Sequence, residues 1–138
     1  MLEPLEFDND NPMDTVSETI MNVFEKIHDF TILHAVTSCH AMRIILPYIG
    51  DKKKAATEFC YSLFAAYVSV LKARGEIKNT TLPKYDGYEN HLRSQAINSM
   101  NEHTIKLVYT CFKEYENYKR PEYLRLITRE VISPATFK

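Results

Sequence analysis

The chain has 138 residues, 45% of them hydrophobic and 25% charged, which is the composition of one globular domain able to bury its own core. Seventeen Lys and Arg face eighteen Asp and Glu, interleaved without a long block of one sign, so the basic face that nucleic-acid binding needs is not expected. Three glycines argue against P-loop and dinucleotide folds, and no apolar run reaches membrane-spanning length.

Residues 1–13 are acidic, with Asp8-Asn9-Asp10-Asn11-Pro12, and read as a flexible arm before a single helical domain over 14–138. The arm has no apolar core of a signal peptide, and a cytoplasmic location is expected. A first helix is predicted from Asp14 to Lys26, with Thr15 and Glu18 as a capping box and Val16, Ile20, Val23 or Phe24, and Ile27 at helical spacing. A second runs from Phe30 to Leu46, apolar nearly all round and so buried, and is closed by Pro47 and Gly50. A third spans Lys52 to Arg74, with Phe59, Leu63, Ala66, Tyr67, Val70 and Leu71 as its core stripe and Gly75 after its end. Residues 76–86 read as the longest loop, followed by a short helix over Tyr88–Asn98. Asn101 caps a helix to Tyr118, and Pro121 opens a last one ending by Val131. The expected class is all-α, a compact bundle of five to six helices. Cys39, Cys60 and Cys111 lie in apolar stretches without C-x-x-C spacing and read as free, buried thiols.

Two helices carry the polar residues of interest. His34 and Thr37 share a face of the second helix, while His40 lies about 120° round the axis from His34 at 3.6 residues per turn. One straight helix therefore does not bring both histidines to one ion. His103 and Lys106 stand one turn apart on the helix capped by Asn101. In a first helical turn the backbone dipole favours a neutral imidazole, which is a metal ligand or a hydrogen-bond acceptor. If the Lys106 face is buried, its ammonium loses solvation, and the neutral amine is a nucleophile that carbon dioxide can carbamylate. The commoner roles are a hydrogen-bonded core position for a histidine in an apolar helix and a snorkelling surface position for such a lysine. His28 and His91 read as solvent-facing. Tyr109, Tyr115, Tyr118 and Tyr123 read as packing and surface residues. No Ser-His-Asp set, H-E-x-x-H or paired zinc motif is present.

At these two clusters the sequence resembles the questin oxidase-like family. The segments are Phe30-Thr-Ile-Leu-His34-Ala-Val-Thr37-Ser-Cys-His40-Ala-Met-Arg43, with Leu46-Pro47-Tyr48 following, and Asn101-Glu-His103-Thr-Ile-Lys106-Leu, with Glu114-Tyr115 and Tyr123-Leu124 after it. The resemblance covers about residues 28–130 and corresponds to the C-terminal part of longer relatives. It implies an all-helical oxidoreductase that cleaves aromatic rings of anthraquinone type with dioxygen. It implies a non-haem iron whose ligands here are His34, His103 and a carboxylated Lys106, with His40 and Thr37 as pocket residues or, for His40, an alternative ligand. It further implies that the rest of the site comes from elsewhere, as a homo-oligomer or from a partner chain supplying the missing N-terminal part. A non-catalytic helical oligomerisation module derived from that family is the competing reading. A small-ligand carrier with aromatic residues lining its pocket is a third.

Overall fold

A computed structural model describes Glu6 and residues 11–75, 80–85, 87 and 89–136. Among these residues the chain forms six helices: α1 (Pro12–Lys26), α2 (Phe30–Ile45), α3 (Lys52–Arg74), α4 (Glu89–Asn98), α5 (Glu102–Tyr118) and α6 (Glu122–Ile132), with a 3-10 turn Leu46–Tyr48 after α2. The all-α expectation is met, and α3 has the bounds read from the sequence. Most of the arm, the start of the 76–86 loop, Asp86 and Tyr88 lie outside the described residues.

Local chemistry explains most boundaries. Asp29 Oδ1 accepts from Thr31 N at 2.7 Å and starts α2. Asp51 does the same for α3 through Lys54 N at 3.0 Å. Asn101 Oδ1 accepts from both His103 N and Thr104 N, at 3.0 and 3.2 Å, and starts α5. Pro47 ends α2 because it offers no amide hydrogen, and the chain tightens into the 3-10 turn. One expectation fails here. The Thr15–Glu18 capping box lies inside α1, because Pro12 at the first turn begins the helix earlier, with Asn11 as its N-cap. Met13, assigned by the sequence to the arm, belongs to α1 and is fully buried.

The core is continuous. Phe24, Ile32, Leu33, Leu107, Cys111, Tyr123, Leu126 and Ile127 are all almost completely buried, so α1, α2, α5 and α6 share one interior. Helix α2 is not buried all round as its composition suggested, since Ile44 and Ile45 at its C-terminal end are each about half exposed. On α3 only Ala56, Thr57, Leu63 and Val70 are buried, while Phe64 and Val68 face outward. The C-terminus of α1 is closed by Arg129 of α6, whose Nη2 donates to Phe24 O at 2.7 Å and Nη1 to Glu25 O at 2.8 Å. Its cation meets the negative end of the helix dipole and the last carbonyls together.

Candidate functional site

The two polar clusters singled out in the sequence lie on helices that pack against each other, α2 and α5. The rings of His34 and His103 have centroids 5.0 Å apart. Phe30 touches both, with its ring centroid 4.5 Å from each. Fixed helix starts hold this group in place. Asp29, the cap of α2, also accepts from Arg74 Nε at 3.1 Å, and Arg74 Nη2 donates to His28 O at 3.1 Å. The α2 start is therefore tied to the end of α3. On the α5 side, Thr104, next to His103, is fully buried and donates its hydroxyl to Glu130 at 3.4 Å.

The hydrogen bonds of the two imidazoles set what they offer. His34 Nδ1 lies 2.8 Å from Phe30 O, and a carbonyl only accepts. The ring therefore carries its hydrogen on Nδ1 and presents a lone pair at Nε2. His103 Nε2 lies 3.4 Å from Glu102 Oε1, while its Nδ1 is buried without a hydrogen-bond partner among the described residues. With the hydrogen on the Glu102 side, Nδ1 is a second lone pair, and a buried one. A buried polar atom without a partner is costly and calls for a donor or a cation.

The other predicted residues separate from this pair. Lys106 Nζ lies 3.6 Å from Glu102 Oε2, and its side chain is 62% exposed. The burial that would have lowered the cost of a neutral amine is absent, and Glu102 sits beside both His103 and Lys106. Thr37 spends its hydroxyl on His34 O at 3.0 Å within its own helix. His40 belongs to a second network, in which Nδ1 donates to Glu114 Oε1 at 2.7 Å. Arg43 donates to the same oxygen through Nε at 2.9 Å and Nη2 at 2.7 Å. Glu114 is almost completely buried, and its Oε2 has no partner among the described residues. Two cationic or polar donors from one turn of α2 thus neutralise one carboxylate of α5. As the helical spacing required, His34 and His40 serve different places. Among the described residues, no group of three or more His, Cys, Asp and Glu could hold a metal ion.

A family model described as questin oxidase-like matches residues 19–111. The chain belongs to the questin oxidase-like family. The matched stretch contains His34, His40, Arg43, His103 and Lys106 and covers the helices that carry them. No curated protein and no solved structure matches the chain.

In this family member, two acidic residues beyond the matched stretch organise what lies within it. Glu114 anchors His40 and Arg43. Glu130 of α6 accepts from His28 Nε2 at 2.9 Å and from Ala135 N at 3.2 Å, besides Thr104. His28 was expected to face solvent. Its side chain is 13% exposed, because the buried Glu130 carboxylate needs a donor there. Glu114 and Glu130 were legible in principle. Glu114 falls three residues after Cys111 and Glu130 three after Ile127, on stripes otherwise apolar, where a carboxylate demands partners.

Proposed function

We propose that the chain is an oxidoreductase-like helical module of the questin oxidase-like family, in which His34 and His103 contribute two imidazoles to a non-haem metal site. The observation that carries this reading is the pair of lone pairs, His34 Nε2 and the buried, unpartnered His103 Nδ1, on rings 5.0 Å apart. The donor set fits: neutral imidazoles suit iron, and a ligand histidine ordinarily gives its other ring nitrogen to a carbonyl or carboxylate, as Phe30 O and Glu102 do here. Bound there, iron would supply redox chemistry toward dioxygen at coordination positions the protein leaves open.

The chain's own residues have definable tasks. Phe30 walls the imidazoles from water on one side. The Phe30 carbonyl holds the His34 tautomer, and the Asn101 cap fixes where α5 begins and hence where His103 sits. Lys106 is the third proposed ligand. Its exposed pair with Glu102 is of the weak kind, worth about 0.2–1 kcal/mol, so the side chain is not locked to the surface. Addition of carbon dioxide to its amine, with loss of a proton, would make it an anionic oxygen ligand. The remaining ligands and the substrate pocket, for an aromatic small molecule, would come from a second polypeptide or a second copy.

Anaerobic equilibrium dialysis against ferrous iron tests this reading. The expected result is near-stoichiometric binding that His34→Ala and His103→Ala abolish and Lys106→Ala weakens, with dioxygen uptake only by the loaded protein. Binding that survives both histidine substitutions would overturn it. A non-catalytic interaction module is the second reading, and the outward apolar face of α3 favours it.

A further inference from the structure

The longest helix is the least covered. Along α3, Phe64 is 65% exposed and Val68 43% exposed. Beside them an apolar cleft of about 410 Å³ opens between α1 and α3, with Thr19 and Val23 on one wall and Tyr67 on the other. Phe64 forms part of its rim. Large apolar side chains clustered on one helix face mark a surface that another chain covers.

We propose that this face is the interface of a homodimer, in which α3 packs antiparallel against α3 of a second copy about a two-fold axis near Ala65. The spacing of the outward residues supports it. Phe64 and Val68 stand one turn apart on this face, and Ala65, exposed beside them, lets two backbones approach. Reversal about this centre places Phe64 level with Ala66 of the second copy and Val68 level with its Ser62, so each large side chain lies over a small one. The charges then decide orientation. Glu58 and Lys72 lie one heptad on either side of Ala65, close to one line along the helix. Antiparallel packing sets each Glu58 opposite the other copy's Lys72. Parallel packing in register would keep Glu58 and Lys72 at opposite ends of the seam and leave both unpaired. Both side chains are available: Glu58 is 68% exposed in a long 4.0 Å contact with Lys54, and Lys72 is exposed with no ion pair among the described residues. The isologous geometry closes at two copies. This interface stands apart from the histidine pair, since α3 carries neither imidazole.

Sedimentation equilibrium of the chain, with metal removed by chelation, should give a dimer. Val68→Glu should raise the dimer dissociation constant by about tenfold or more, as an unpaired carboxylate enters the seam. Lys72→Glu should weaken the dimer, and adding Glu58→Lys to it should restore the dimer. In a Cys60→Ser background, Ala65→Cys should form an intermolecular disulfide on mild oxidation, because the two-fold axis brings this position next to itself. A monomer at all concentrations would overturn the proposal, showing that the face is bare or belongs to another polypeptide. So would a dimer that Val68→Glu leaves intact, or one in which Ala65→Cys fails to cross-link.

Discussion

His34 of α2 and His103 of α5 meet ring to ring, 5.0 Å between centroids, with Phe30 packed against both. Each imidazole has one nitrogen engaged by its own helix start and the other without a donor among the described residues. Lys106, one turn beyond His103, tests whether more of α5 takes part. Because its pair with Glu102 is exposed, Lys106→Ala should change stability by less than about 0.5 kcal/mol, measured by urea denaturation. Any loss of iron affinity in that variant would then report ligation rather than folding.

The buried Glu114 should be costly to remove. Three donor contacts, from His40 and from two nitrogens of Arg43, end on its Oε1. Glu114→Ala leaves the guanidinium of Arg43 without its partner and should destabilise the fold by about 3 kcal/mol or more. Glu114→Gln keeps the shape and one acceptor, and should cost less. Chemical denaturation with circular dichroism separates the two. Equal, negligible effects would show that the network is dispensable.

Arg129 links α6 to the end of α1. Burial pulls its guanidinium down to about 10 from 12.5, yet it remains charged at neutral pH. Arg129→Met removes the donors to Phe24 O and Glu25 O and the stacking over the Phe24 ring. The expected loss is about 2–4 kcal/mol, with the largest rise in amide exchange at the C-terminus of α1.

The buried thiols predict an alkaline limit. Burial pushes both Cys39 and Cys111 well above the ordinary 9.0, with Glu114 and Glu130 adding to it. A thiol whose folded pKa is raised contributes its full stability below the unfolded value and loses it as pH rises past that value. Stability should therefore fall above pH 9, by up to about 1.4 kcal/mol per pH unit for each thiol. Cys39→Ser should flatten that slope. In native protein at pH 8, a thiol reagent should reach Cys60, which is half-buried, and should modify Cys39 and Cys111 only after unfolding.

Much of the architecture was legible because it rests on local chemistry. Asn101, Gly75 and the apolar spacing within each helix suffice to place α3 and α5. The start of α1 was misread because Thr15 and Glu18 satisfy a capping pattern that Pro12 makes unnecessary. The pairing of His103 with His34 depends on how α2 crosses α5, which no spacing within either helix encodes. His28 was misread for the same reason: its partner Glu130 lies on α6, and only packing brings them together. The separation of His34 from His40, by contrast, follows from helical period alone and holds in the fold.

We propose His34 and His103 as one metal-binding pair. Its most direct measurement is proton NMR of the histidine rings during anaerobic titration with cobalt(II) as a paramagnetic stand-in for iron. The ring signals of His34 and His103 should shift or broaden together at low metal, while the exposed His91 stays unchanged. Broadening of His91 first, or of either imidazole of the pair without the other, would contradict it.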